Sequence, residues 1–175
     1  SYGAEDLNKL KRKYDLIYCK AVEHISNLPI TVKNFSTVSK KGTIVYFKHR
    51  SFFSYLGPHR YASTGIPWGH VILSDSEYKN YVSRFHKNRK KEMINFYFSK
   101  ISYPRFTIHD LVNEFLKNDF EPLLIFNENA DYKNKFKRKD IDLILKNWKL
   151  IKKRYPNLSI EEVMSGIYHI LFRKV

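Results

Sequence analysis

The sequence predicts an α+β protein, in which a small and mostly antiparallel sheet packs against four to five helices and the chain ends in an αα unit. Two kinds of stretch predict this class. Short stretches alternate apolar with polar residues or are wholly apolar, as strands are, whereas longer stretches repeat apolar residues every three or four positions, as helices do. The length of 175 residues and the hydrophobic content of 43% suit one such core.

The first part of the chain predicts a helix followed by a hairpin. Apolar residues in 5–26 fall at three- and four-residue spacings, and Pro29 ends that helix. Residues 30–38 then alternate apolar with polar side chains, as a half-buried strand does. A short turn with two lysines leads to a second strand at 43–49, so we expect these two strands to pair antiparallel.

The middle of the chain predicts a long loop and a long basic helix. Residues 57–69 are dense in glycine and proline, and a loop of this length is more often functional than not. A short apolar strand is predicted at 70–73. Ser74 and Glu77 have the spacing of a capping box, so we expect a helix to begin there and to run over 75–100.

The last part of the chain predicts three helices and one strand. Apolar spacing predicts a helix over 108–118, and a short apolar run predicts a strand over 123–126. Two further helices are predicted at 140–154 and at 159–171, the second of which begins with another capping-box spacing. Joined by a few residues, these two helices form the αα unit.

The domain organisation follows from a change in composition. Residues 127–140 are polar and dense in cations, which predicts an exposed linker. We therefore divide the chain into an α+β core domain, 1–126, and a basic linker with a helical pair, 127–175, which we expect to pack on the core as one structural unit. The predicted sheet contains the strands 30–38, 43–49, 70–73 and 123–126.

The charge of the chain predicts an acidic partner. Lysine and arginine number 32 against 17 aspartate and glutamate residues, which gives a net charge of +15. A charge of this size is neutralised by a partner or remains as self-repulsion, and nucleic acid is the commonest such partner. An acidic protein and an anionic membrane surface are the alternatives.

Residues 43–61 interleave cations and histidines with aromatic rings, a combination that suits phosphate binding and stacking on unpaired bases. A second cationic run lies in the predicted helix 75–100, where phosphates would relieve repulsion between like charges. The sequence therefore predicts a non-enzymatic nucleic-acid-binding domain, with RNA or single strands favoured over duplex DNA. The predicted binding residues are Lys48, Arg50, Arg60, Tyr61, Trp68, Arg84, Lys87, Arg89, Lys90, Lys91, Lys137 and Arg138.

Two other functions stay open. A metal-independent ribonuclease or toxin would use His49, His59 and His70 as acid and base, with neighbouring cations on the scissile phosphate. A protein–protein interaction module of a larger assembly would use the charge for solubility or for an acidic partner. The sequence contains no metal-ligand motif and no phosphate-cradling glycine loop, so we expect neither a metal nor a cofactor.

Cys19 is the single cysteine, which excludes an internal disulfide and favours an intracellular location, cytoplasmic or nuclear. The sequence has no apolar run of the roughly 20 residues that a membrane span needs. Because the chain begins at Ser1 and ends in an apolar stretch, we expect a fragment of a larger protein. The other domains or subunits of that assembly are then further partners.

Overall fold

The computed structural model describes residues 4–20, 22–55, 57, 59, 61–129 and 137–175, and it confirms the α+β class. Three short 3-10 turns lie at Ala4–Lys9, Val22–His24 and Lys87–Arg89. The helices and strands are β1 (Tyr14–Lys20), α1 (Leu28–Thr37), β2 (Ser39–Arg50), α2 (Gly69–Ile72), α3 (Asp75–Phe85), α4 (Lys90–Ser99), α5 (Ile108–Leu116), β3 (Phe120–Asn129), α6 (Arg138–Lys146), α7 (Trp148–Arg154), α8 (Ile160–Met164) and β4 (Ser165–Lys174).

The described strands form one mixed sheet of four strands in the order β1-β2-β4-β3. β1 and β2 are parallel, whereas β4 is antiparallel to both β2 and β3, so most of the pairings are antiparallel as expected. Parallel neighbours need a crossover connection, and α1 supplies it between β1 and β2. The last strand of the chain therefore lies inside the sheet and not at its edge.

Two predictions for the first part of the chain are wrong. Residues 5–26 do not form one helix, because β1 occupies their centre. Ile17 and Cys19 are only partly exposed and pack against the core, whereas the residue on either side of Ile17 is exposed, which is the two-residue period of a strand. The three- and four-residue spacing in this stretch is thus also compatible with a strand.

Residues 30–38 do not form a strand, because α1 begins at Leu28, and the predicted hairpin is therefore wrong as well. Asn27 caps α1 by accepting a hydrogen bond from the backbone N–H of Ile30 at 3.0 Å. Pro29 lies in the first helical turn, where its missing N–H and fixed φ suit a helix start. These start signals outweigh the alternation that follows them.

Two further elements differ from the prediction. Residues 70–73 lie largely in the short helix α2 and do not form a strand. The predicted last helix ends after one turn at Met164, and the following residues form β4. Ile170 and Phe172 are fully buried while their neighbours are less so, and this alternation is the strand signal that the capping box at Ser159 obscured.

The remaining predictions of elements are confirmed. β2 and β3 contain the predicted strands 43–49 and 123–126, and α5 matches the helix at 108–118. The helix over 75–100 forms with a break at the 3-10 turn, and Ser74 and Glu77 make the predicted capping box. The helix at 140–154 forms as α6 and α7. The division of the chain after residue 126 stays a prediction, with β4 joining the sheet of the first part.

Aromatic side chains build the core between the sheet and the helices α1 and α5. Phe47 on β2 meets Phe35 of α1 and Phe115 of α5 edge to face, with ring centroids 5.7 and 5.2 Å apart. Phe115 also stacks on Phe172 of β4 at 4.0 Å. A second buried cluster forms among the helices of the middle and C-terminal parts, around Trp68, Tyr78 and Tyr97 among other residues.

The opposite face of the sheet carries a row of rings that crosses all four strands. Tyr18 of β1 lies 5.3 Å from Tyr46 of β2, and His169 of β4 lies 6.0 Å from Tyr46 and 5.3 Å from Phe126 of β3. The hydroxyl of Tyr46 hydrogen-bonds Nδ1 of His169, and Glu128 contacts Nε2 of the same ring. Tyr18 and Phe126 at the two ends of the row are about half exposed.

A buried carboxylate, Glu162, joins the two clusters. Its Oε1 accepts a hydrogen bond from the hydroxyl of Ser51 at the end of β2, and its Oε2 accepts one from the backbone N–H of Ile108 at the start of α5. Burial raises the pKa of Glu162 to about 7, with the two hydrogen bonds acting against this rise. The protonated form is thus favoured by the folded state.

Replacing Glu162 by glutamine should make stability less dependent on pH. Because the folded state holds the proton more tightly than the unfolded chain, Glu162 lowers the free energy of unfolding as pH rises from about 4.5 to about 7. Relative to the wild type, Glu162→Gln should therefore gain up to about 3 kcal/mol between pH 5 and pH 8 in urea unfolding. Glu92→Gln, at an exposed position on α4, is the control. An equal pH response of both variants would contradict the assignment.

Candidate active site

The candidate site lies beyond the carboxyl ends of the parallel strands β1 and β2. In open α/β sheets this is where ligands bind, because the loops that follow neighbouring parallel strands meet there. Glu23 and His24 follow β1, and Arg50 ends β2. A small pocket of about 20 Å³ is lined by Glu23, Arg50 and His59, and also by residues of both hydrophobic clusters, Phe52 and Phe106 among them.

The turn that carries Glu23 is held by the segment after α4. The backbone carbonyl of Glu23 accepts hydrogen bonds from the backbone N–H of Ser102 at 2.7 Å and from its hydroxyl at 3.0 Å. The same hydroxyl contacts the carbonyl of Ile25, and Val22 is fully buried beneath the turn. The main chain at the end of β1 is therefore fixed by hydrogen bonds to a distant part of the sequence.

His24 is oriented by a hydrogen bond to a backbone carbonyl. Its Nδ1 lies 2.5 Å from the carbonyl oxygen of Lys100. A carbonyl oxygen can only accept, so Nδ1 carries the proton and Nε2 of the neutral ring keeps its lone pair. A histidine oriented in this way can take a proton from a bound molecule at Nε2.

His24 belongs to a cluster of four rings. The ring centroid of His24 lies 6.3 Å from that of His59 and 6.0 Å from that of Phe96. His59 stacks on Tyr61 at 5.1 Å and lies 5.1 Å from Phe96. His59 has a φ of 133°, which is a strained conformation for a residue other than glycine, and such strain is common at functional sites.

Arg105 lines the pocket and binds the backbone at the end of α4. Its guanidinium donates hydrogen bonds to the carbonyl oxygens of Tyr97 at 2.6 Å and Ile101 at 3.2 Å, and also contacts that of Ser102. The guanidinium carbon lies 4.2 Å from the ring centroid of Phe52 and 4.5 Å from that of Tyr97. One side chain thereby fixes both the end of α4 and the ring that lines the pocket.

Gly57 forms part of the pocket wall, and its position admits no side chain. A Cβ atom there would lie 2.6 Å from the carbonyl oxygen of Ser51 and 2.7 Å from that of Phe52. The backbone N–H of Gly57 donates to the carbonyl and the hydroxyl of Ser54, both at 3.1 Å. The loop after β2 therefore folds back on its own main chain.

The structure brings only a few of the predicted binding residues to this site. Lys48 and Arg50 lie on β2 beside the pocket, and Tyr61 belongs to the ring cluster. Trp68 is buried, and its Nε1 donates to the carbonyl of Val163, so it is a core residue. Arg60 lies outside the described residues. The other predicted residues lie on α3, the following 3-10 turn, α4 and the start of α6, and they are Arg84, Lys87, Arg89, Lys90, Lys91, Lys137 and Arg138; a binding role for each stays a prediction.

The three histidines of the ribonuclease alternative do not form one acid–base set. Burial lowers the pKa values of His49 and His70 to about 3, so both rings are neutral. His70 faces the carbonyl of Ser54 within the helical cluster, while His49 stacks on Phe106 at 5.7 Å. His59 is the one of the three that lies in the ring cluster beside His24.

Sequence reasoning missed Glu23, His24 and Arg105. Glu23 and His24 were missed because the sequence predicts one helix over residues 5–26. That prediction places both residues in the last turn of a helix and not in the connection after a strand. The signal that would have found them is the helix start at Asn27, since a cap there requires the preceding residues to be a connection. Within the described residues, no three potential ligands converge as a metal site.

The sequence matches no protein family and no curated protein. Solved structures with a similar fold include phosphoethanolamine N-methyltransferase 2 of Haemonchus contortus in complex with S-adenosyl-L-methionine, at 16% identity and a TM-score of 0.41, over 97% of this chain and 36% of that chain. PKMT2 of Rickettsia typhi is 10% identical, with a TM-score of 0.46, over 99% of this chain and 37% of that one. The YcgJ protein of Bacillus subtilis is 13% identical, with a TM-score of 0.40, over 96% and 68%.

At these identities the likeness concerns the fold alone. The chain spans a little over a third of the length of the first two proteins, at 36% and 37%.

The described helices include none with the length and apolar character that a membrane crossing requires.

The prediction of a non-enzymatic nucleic-acid-binding domain is wrong. The similar solved structures include proteins named as methyltransferases, in contrast to the expectation of a domain without catalysis. The physical reason lies in residues 43–61, where Phe47, Phe52 and Phe53 are buried core rings and cannot stack on bases. The ribonuclease alternative is wrong as well, because its three histidines do not form one acid–base set.

Replacing Arg105 by lysine should destabilise the fold. A lysine ammonium has no planar fork to reach several carbonyl oxygens at once and stacks less well on rings. Arg105→Lys should therefore lower the free energy of unfolding by about 2–4 kcal/mol in urea titration. Arg84→Lys, at an exposed position on α3, should change it by less than about 0.5 kcal/mol. Equal stabilities of the two variants would show that the three carbonyl contacts do not stabilise the fold.

Proposed function

We propose that this chain forms the acceptor site of a group-transfer enzyme, which binds a small-molecule nucleophile over the carboxyl ends of β1 and β2. The observation that carries the proposal is the orientation of His24, whose Nδ1–H is bound to the carbonyl of Lys100. An acceptor O–H or N–H must lose its proton as its oxygen or nitrogen forms a new bond, and Nε2 of His24 would take that proton.

The surroundings of His24 support this role. His59, Tyr61 and Phe96 provide flat apolar surfaces on which a small molecule can lie. His59 lines the pocket and has a strained backbone. Such strain lowers stability and is common at binding sites. Glu23 adds one carboxylate to the lining, which can orient a donor group of the substrate.

The described part of the chain does not provide a cradle for a nucleoside cofactor. S-adenosyl-L-methionine is named with one similar structure, and nucleoside cofactors in α/β sheets rest on a glycine-rich turn between a strand and a helix. The connection between β1 and α1 contains Glu23 and His24 and has no glycine. A donor of this kind would therefore have to lie against other residues.

We also propose an intracellular location and association with other domains or subunits. Cys19 is a free thiol, and burial raises its pKa to about 11, so it stays protonated. Parallel strands are usually covered on both faces, yet the face of β1 and β2 that carries Tyr18 and Tyr46 leaves Tyr18 half exposed. This exposure supports contact with a further part of a larger assembly.

Replacing His24 should lower the rate of transfer more than it weakens binding. In transfer assays with a panel of activated group donors and with small alcohols and amines as acceptors, His24→Gln should lower kcat about 10²–10⁴-fold with a nearly unchanged KM for the acceptor. His109→Gln, at an exposed position on α5, should keep the wild-type rate.

Two results would overturn the proposal. Turnover of His24→Gln at the wild-type rate would remove the base from the mechanism. Absence of transfer by the wild-type protein with every donor tried would remove the reaction class.

A further inference from the structure

The pocket has two neighbouring parts, which share Glu23, Arg50 and His59 in their lining. The inner part of about 20 Å³ has room for little more than one small polar group. The outer part, of about 200 Å³, opens toward solvent and is also lined by Lys20 and Lys48. Both His49 and Arg50 line the inner part. Because consecutive side chains of a strand point to opposite faces, a space that both of them line must lie past the end of β2.

The inner part contains a polar side chain that lacks a partner. His49 is 1% exposed, and neither of its ring nitrogens has a hydrogen-bond partner among the described residues. A buried polar group left without a partner costs about 1–3 kcal/mol, and a ligand that forms a hydrogen bond with His49 would recover this cost. The neutral ring offers one N–H donor and one lone pair, which match a hydroxyl or an amine.

The outer part is cationic. Lys20, Lys48 and Arg50 line it together with the single carboxylate of Glu23. Nε of Arg50 is buried and has no hydrogen-bond partner among the described residues. The ion pair between Lys48 and Glu128 is long, at 3.9 Å. A guanidinium with a free donor beside two ammonium groups suits a phosphate or a carboxylate.

We propose that the substrate of this site is a small anion that also carries a hydroxyl or an amine. Its phosphate or carboxylate binds Arg50, with Lys48 and Lys20 at its sides, and its hydroxyl or amine forms a hydrogen bond with His49. This inference rests on the proposed function, because it names the substrate class of the same site.

The test compares three small probes that differ in charge. Glycerol 3-phosphate and glycerate carry an anion and hydroxyls, whereas glycerol carries hydroxyls alone, and each is titrated into the protein by calorimetry in a phosphate-free buffer. At least one anion should bind with Kd of about 1 mM or below and about tenfold or more tighter than glycerol. The comparison of the two anions separates a phosphate site from a carboxylate site.

Variants of the two neighbouring residues test the two contacts separately. Arg50→Gln should weaken binding of the preferred anion about 10–100-fold, and Arg12→Gln, at an exposed position before β1, should leave it unchanged. His49→Phe should keep binding of inorganic phosphate or acetate and lose the added affinity that the hydroxyls give. In the wild type, the ¹⁵N resonances of the His49 ring should shift on addition of the hydroxylated anion and stay in place on addition of acetate or phosphate.

Three results would overturn the inference, and two others would separate it from the proposed function. Equal binding of glycerol and both anions, full affinity in Arg50→Gln, or an unmoved His49 resonance would each overturn it. Anion binding that depends on Arg50 in a protein without transfer activity would support the inference and contradict the proposed function. Transfer that depends on His24 but shows no preference for anionic acceptors would do the reverse.

Discussion

The rest of the structure depends on a buried carboxylate. Glu162 connects the end of β2 to the start of α5 through Ser51 and the backbone of Ile108, and it lies where the sheet core meets the helical cluster. A buried charge is costly, and the raised pKa of Glu162 reflects that cost at the junction of the two clusters. The candidate pocket lies at the same junction, since Ser51 also lines it.

The parallel pairing of β1 and β2 determines where the candidate site lies. Because the two strands are parallel, both end at the same edge of the sheet, and Glu23 and Arg50 line one pocket there although they are far apart in sequence. Backbone groups from the segment after α4 then fix this edge: Ser102 holds the turn and the carbonyl of Lys100 sets the ring of His24. The chemistry of the site is thus determined by main-chain contacts as much as by side chains.

Local signals predicted the elements that depend on local structure. The capping box at Ser74, the strand over 43–49 and the helix at 108–118 could be found because caps and apolar periods act within a few residues. The strands β1 and β4 were missed because their residues also satisfy a helical period, and pairing with β2 decides between the two. The candidate site was missed for the same reason, since His24 becomes a loop residue only once β1 is a strand.

The glycine in the pocket wall limits how this site can change. The carbonyl oxygens of Ser51 and Phe52 stand where any larger residue at position 57 would place its first carbon, so the inner chamber is bounded there by main chain. Mutation of side chains alone cannot enlarge a boundary made of backbone. A variant with altered specificity would therefore keep this wall and change the side chains that line the rest of the pocket, Phe52, Phe106 and Arg50 among them.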